Sequence, residues 1–359
     1  MFESAKDPVL QEDLEAVANA NLPWEAFAGK SVLVTGATGL IGSQVVKALA
    51  CRNRLYHSGI RILALVRNEA KAKVVFADLE NRPEIKFVVG DVNKPLLVQG
   101  SVDFIVHGAS VTSSKDFVTK PVETITTVLD GTRHALELAL EKTVKGFLFL
   151  SSLEVYGVTN PESPSVCESV FGYLDPMQVR SSYPEAKRLA ECLCASYARE
   201  FGVPVVVARL SQTFGAGVAY DDGRVFAQFA RAVIEKKDIV LCTLGETERN
   251  YCYTADAVTA ILWILAKGKS GEAYNVANKD TAISIADMAQ LVARAFPKSG
   301  IKVTFKIAKD ACTLGYNPTV KIRLNAEKLE ALGWVPNVGI REMFHRLIQS
   351  MGLQKENIF

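Results

Sequence analysis

A chain of 359 residues, 49% hydrophobic and 22% charged, can bury one large core or two smaller ones. Its formal net charge of +2 excludes any global electrostatic case for nucleic acid or an anionic membrane, so an anionic ligand must be held by a local site. Seven cysteines (51, 167, 192, 194, 242, 252 and 312), with no Cys-x-x-Cys pair and only four histidines, speak against a disulfide framework or a metal site. Cys192 and Cys194 read as reduced packing residues. No apolar run reaches the roughly 18 residues that span a bilayer. The start, Met1-Phe2-Glu3-Ser4-Ala5-Lys6-Asp7, does not read as a signal peptide. The expectation is a cytoplasmic protein in a reducing compartment.

Residues 1–29 form an acidic, partly helical arm with no assigned place. From about residue 30 to 210, strands at Ser31–Thr35, Arg61–Val66, Ile85–Val89, Asp103–His107, Gly146–Ser151 and Val205–Arg209 alternate with helices. The helices fall near Leu40–Cys51, Pro121–Glu141 and Ser182–Glu200. Runs such as Val32-Leu33-Val34 and Val205-Val206-Val207 are apolar throughout, as strands buried on both faces are. This alternation predicts an α/β fold, a Rossmann-like doubly wound parallel sheet with its ligands at the carboxyl ends of the strands.

After Arg209 the rhythm changes. Helices are expected near Val225–Glu235, Asp256–Lys267, Ser284–Phe296, Asn325–Leu332 and Gly339–Met351, with a short strand near Ile239–Cys242. The expected division is a dinucleotide domain over 30–210, with return segments near 250–278, and a smaller substrate lobe over 211–249 and 279–351. Trp334, Met343 and Phe344 read as core.

The first strand runs into Gly36-Ala37-Thr38-Gly39-Leu40-Ile41-Gly42 and then a helix. Gly36 makes a tight turn, Gly39 lets backbone amides approach a pyrophosphate, and Gly42 lets the helix pack close to the strand. The helix N-terminus offers oriented N–H groups to the phosphates. Arg67 follows the second strand, where an acidic residue would favour NAD and an arginine can accommodate the phosphate of NADP; a solvated turn arginine is the plain alternative. Asp91, after the third strand, is placed to accept from an adenine amino group.

The spacing of Gly36, Gly39 and Gly42 resembles the extended short-chain dehydrogenase/reductase superfamily, the NAD-dependent epimerases, dehydratases and decarboxylases of nucleotide sugars. His107-Gly108-Ala109-Ser110, Gly131-Thr132, residues 151–157 (SSLEVYG), Tyr183-Pro184-Glu185-Ala186-Lys187 and residues 209–215 (RLSQTFG) agree in order and register. Within that branch the chain is most similar to UDP-glucuronate decarboxylases, through residues 152–157, 179–183, Asp222-Gly223-Arg224-Val225 and Arg249. It departs from them at Gln212 and Val128, where Asn is usual, at Ala216-Gly217 in place of Pro-Arg, and at Ser113-Ser114-Lys115 where a proline-rich loop is expected.

The resemblance implies a cofactor site of Gly36, Gly39, Leu40, Ile41, Gly42, Arg67, Asp91, Val92, Gly108, Ala109, Ser110, Tyr183 and Lys187. It also implies a sugar-nucleotide site including Arg180, Gln212, Arg224 and Arg249, and a homodimer through helices 121–141 and 182–200. Tyr183 and Lys187, four apart on a helix, share a face. A lysine ammonium and a cationic nicotinamide both favour phenolate, so Tyr183 is expected to act as base with Ser152 steadying the proton while C4 of the sugar is oxidised. Glu154 is the expected second acid/base group. Related dehydratases carry an Asp where this chain has Leu153, which favours decarboxylation over dehydration. A 4-epimerase, a 4,6-dehydratase, an NADP-dependent reductase and a redox-sensing dinucleotide binder are the rival readings.

Overall fold

A computed structural model describes residues 2–162, 165–307 and 319–356; Cys312 lies outside them. Seven strands, β1 (Ser31–Thr35), β2 (Arg61–Val66), β3 (Ile85–Val89), β4 (Phe104–His107), β5 (Gly146–Ser152), β6 (Val205–Leu210) and β7 (Ala273–Val276), form one parallel sheet. Their order is β7-β6-β5-β4-β1-β2-β3, which is the expected doubly wound fold. The chain reverses direction across the sheet between β1 and β4, and such a switch point leaves a crevice at the carboxyl ends of the strands. All residues of β1 and β4 are buried. Val32 and Val34 face one core, with Val45 and Val258, while Leu33 faces the other, with Leu136 and Ala190. That period of two explains why both faces needed apolar side chains.

Helices Leu40–Tyr56 and Thr254–Lys267 cover one face, and Pro121–Lys142 and Ser182–Phe201 the other. A smaller sheet joins strands at 278–284, 248–253, 321–324 and 165–166, with 212–214 paired to 248–253. Several of these strands were not anticipated, being short and polar. The helix expected at Asn325–Leu332 shrinks to Glu327–Glu330, because a strand runs to Leu324 and the Asn325 side chain accepts from the Glu327 amide at 2.8 Å. Trp334, Met343 and Phe344 are buried, as expected. Cys194 is buried but Cys192 is exposed, so the packing role holds for one of the pair only: positions two apart lie about 200° around a helix and cannot both face the core. No helix of the described residues is long and apolar enough to cross a membrane.

The N-terminal arm has a definite place. Its helix, Pro8–Asn19, is capped by Asp7 and packs on helices 40–56, 254–267 and 340–356. Glu3 is buried and pairs with Arg54 at 3.0 Å and Arg82 at 2.7 Å. Asp13 accepts from the Tyr253 hydroxyl at 2.6 Å and pairs with Arg346 at 2.8 Å. The Ser350 hydroxyl donates to Asp7 at 2.5 Å and accepts from the Gly217 amide at 2.9 Å, while Gln44 donates to the Ala216 carbonyl at 2.8 Å. The arm thus fastens the loop that follows strand 212–214.

Candidate active site

The glycine turn lies at the carboxyl end of β1, beside the switch point. Gly36 has φ +67°, and a Cβ there would sit 2.7 Å from the Gly108 backbone, so only glycine serves. A Cβ on Gly42 would collide with the Gly36 carbonyl. Gly39 caps the 17-residue helix without a side-chain hydrogen bond, leaving the first-turn amides of Leu40, Ile41 and Gly42 to a phosphate. These features fit a dinucleotide pyrophosphate. Arg67 is exposed just past β2. Asp91 follows β3, and its carboxylate accepts from the Asn93 amide at 3.0 Å. Val92 is buried against Gly131. All four positions occupy the same end of the sheet.

Sequence reasoning took His107 only as part of a shared motif; the structure gives it work. The amides of Gly108 and Ala109 each donate to Thr35 Oγ1 at 3.2 Å, and that oxygen lies 2.8 Å from His107 Nδ1. Burial, assisted by the Lys187 charge, pulls the imidazole down to about 3, so it is neutral. Thr132 Oγ1 lies 3.4 Å from Nε2 and gives its own proton to the Val128 carbonyl at 2.6 Å, which assigns the ring proton to Nε2 and makes Nδ1 the acceptor from Thr35. The backbone of Gly108 and Ala109 is thereby set. Ser110, next along, is partly exposed and bonds to the Val111 carbonyl.

Tyr183 and Lys187 emerge from helix 182–201 over the end of β5. Both are buried. Lys187 Nζ donates to the Leu150 carbonyl at 2.7 Å and lies 4.5 Å from the centre of the Phe149 ring and 5.8 Å from that of Tyr183. The expected lowering of the Tyr183 phenol combines Lys187 with a cationic nicotinamide; the protein's own groups by themselves raise it. Burial pushes the phenol well above its ordinary value and Glu154 adds to that, against the nearby Ser152 hydroxyl and the charge of Arg180. Burial likewise pulls the Lys187 ammonium down to about 8. In the protein's own environment desolvation outweighs the charges.

Sequence reasoning missed Phe117, on the short helix Ser114–Thr119. It stacks on Tyr183 with ring centres 4.3 Å apart and planes 7° from parallel, and Arg180 lies 4.9 Å over it. The signal was an aromatic in the segment that replaces the proline-rich loop. Phe117→Ala should destabilise the protein by about 3–5 kcal/mol, as deletions of buried aromatics do, and urea unfolding measures this.

Glu154 and Arg180, expected to serve different parts of a substrate, are paired with each other by two hydrogen bonds of 2.9 and 3.0 Å. Arg224 is similarly held by Asp222 at 2.6 Å, at the start of helix 225–235. Gln212 is partly exposed and faces Tyr251 in the small sheet. Arg249, on that same strand, has a buried Nε without a hydrogen-bond partner among the described residues, as a guanidinium awaiting an anion does. A cavity of about 340 Å³ opens elsewhere, between helix 182–201 and β6. Of its charged groups, Arg209 and Glu191 satisfy one another at 2.7 Å, and Arg188 donates to the Val155 and Gly172 carbonyls.

A family model described as the NAD dependent epimerase/dehydratase family matches residues 32–277. UDP-glucuronic acid decarboxylase 6 of Arabidopsis thaliana is 29% identical over 315 residues, covering 87% of this chain and 85% of its own. UDP-glucuronic acid decarboxylase 3 of that plant is 30% identical over 324 residues, covering 87% and 86%. Among solved structures, a UDP-glucose 4-epimerase of Thermotoga maritima superposes with TM-score 0.75 at 21% identity, over 92% of this chain and 100% of that one. A dTDP-glucose 4,6-dehydratase of Streptomyces venezuelae with NAD bound gives 0.74 at 23%, over 91% and 97%.

Proposed function

This chain belongs to the NAD-dependent epimerase/dehydratase family of enzymes, and we propose that it is a UDP-glucuronate decarboxylase, oxidising the sugar at C4 with NAD and releasing carbon dioxide. The observation that carries the reading is the group at the end of β5. Ser152 and Tyr183 lie close together, Ser152 Oγ accepts from the Glu154 amide at 3.2 Å, Glu154 and Arg180 pair beside them, and Leu153 occupies the place where related dehydratases have an acid. The curated decarboxylases at 29–30% identity support it.

On this reading residues 30–210, with 250–278, hold the dinucleotide, and residues 211–249 and 279–351 hold the sugar nucleotide. NAD supplies the hydride acceptor and a positive ring charge that opposes the burial of Tyr183. Tyr183 takes the C4 hydroxyl proton and Ser152 holds the same oxygen. Lys187, anchored on Leu150, fixes the polar edge of the pocket. Arg249 binds the diphosphate; Arg224 does so once released from Asp222, and Gln212 lies beside the sugar. Helices 121–142 and 182–201 expose Val122, Ile125, Leu189 and Phe201, a face suited to a second copy.

Incubation with UDP-glucuronate should yield a product lighter by carbon dioxide, with no net consumption of cofactor. Unchanged mass with inverted C4 means epimerisation, loss of water from a UDP- or dTDP-hexose means dehydration, and either sinks decarboxylation. Steady consumption of added NADPH means a reductase. The cofactor extracted from denatured protein should be NAD; NADP would assign Arg67 to the extra phosphate.

A further inference from the structure

Both oxygens of Glu154 are engaged by Arg180: Nη1 donates to Oε2 and Nη2 to Oε1. The pair is partly open, with the arginine side chain 26% and the glutamate 19% exposed. A carboxylate held in a guanidinium fork is kept ionised, with no proton to give. The acid needed at C5 is therefore withheld in this arrangement. A uronic acid carboxylate has the same charge and two-oxygen geometry as Glu154, so the two are competitors for one fork. The flat face of the guanidinium rests over Phe117, leaving its N–H edge able to change partners while the cation stays seated.

Resting on the decarboxylase reading above, we propose that Arg180 is a carboxylate exchanger: the substrate carboxylate displaces Glu154 from the guanidinium, and the released Glu154 takes up a proton from solvent and delivers it to C5. Once C4 is a ketone, the C5–C6 bond breaks and its electron pair passes to the C4 oxygen as carbon dioxide leaves. That pair returns to form the bond from C5 to the proton of Glu154, restoring the C4 ketone. Glu154, again a carboxylate, finds the guanidinium free and re-pairs with it. A sugar nucleotide without a carboxylate leaves the pair closed, which couples the acid to the substrate that needs it. Tyr183 sits within reach of both charges, Glu154 raising its phenol and Arg180 lowering it, so the exchange also reaches the base.

The test measures the affinities of UDP-glucuronate and UDP-glucose by calorimetry, with NAD present, in a Tyr183→Phe background that arrests oxidation. Adding Glu154→Gln removes the competitor and should tighten UDP-glucuronate about tenfold, the worth of one charge-assisted interaction, with UDP-glucose changed by less than about twofold. Adding Arg180→Gln should weaken UDP-glucuronate by about tenfold or more and leave UDP-glucose nearly unchanged, with Arg180→Lys, which keeps the charge but not the fork, in between. A Glu154→Gln variant that binds UDP-glucuronate no tighter overturns the exchange, as does an Arg180→Gln variant that weakens both ligands alike. Carbon dioxide release by the unsubstituted enzyme is scored separately. Release without selective tightening sinks the exchange alone; selective tightening without release sinks the decarboxylase reading and the proton delivery to C5, and leaves only the exchange of carboxylates on Arg180 standing.

Discussion

Tyr183→Phe is expected to lower turnover of UDP-glucuronate by about 10³-fold, within the range for loss of a positioned proton-transfer group. The ring and its stack on Phe117 survive the change; only the hydroxyl beside Ser152 is lost. Stability should therefore fall by about 1 kcal/mol or less, and a thermal melt beside steady-state kinetics separates the two effects. Because burial and Glu154 hold the phenol high, the unsubstituted enzyme should also speed up as pH rises through neutrality. Near-normal turnover by Tyr183→Phe would falsify the assignment of the base.

Lys187→Met should cost about 10²–10⁴-fold in turnover, as loss of a group supporting proton transfer does, and should also change how stability depends on pH. The folded ammonium sits at about 8 against 10.5 for an ordinary lysine. Between those values the unfolded chain binds more protons than the folded one, so stability rises with pH there. Below pH 8 the full cost of burying the charge is present, about 3 kcal/mol at 1.36 kcal/mol per unit. Urea unfolding at pH 7 and pH 10 should show the unsubstituted protein gaining on Lys187→Met by that order. Parallel pH curves for the two proteins would show that Lys187 is not held in so dry a place.

The sheet was legible because β1, β4 and β6 are apolar on both faces and need no partner to be recognised. The glycine turn was equally plain, since Gly36 and Gly42 each face backbone where a Cβ cannot fit. The small sheet was not, because strands such as 321–324 alternate charged and apolar residues over a few positions and gain their form from neighbours far along the chain. The candidate site divided in the same way. Ser152, Tyr183 and Lys187 announce themselves by spacing on a strand end and a helix. That Glu154 holds Arg180, that Asp222 holds Arg224, and that Phe117 lies against Tyr183 are facts of side-chain direction. One-dimensional spacing names the charges without saying which of them are already matched. Lys187 shows a further case: spacing placed it beside Tyr183 without saying that both groups would be buried.

The N-terminal arm bears on how the molecule is made. Asp7 meets Ser350 and Asp13 meets Arg346, contacts between segments more than 300 residues apart. On the ribosome, helix 8–19 emerges early and can lie on helix 40–56, yet Asp7 and Asp13 must wait for residues 346–350 to clear the exit tunnel. Since Ser350 also holds Gly217, the loop beside strand 212–214 reaches its final position only then. A nascent chain stopped before residue 346 should carry a formed parallel sheet and an unfinished pocket, which ties the appearance of activity to the emergence of residues 346–350.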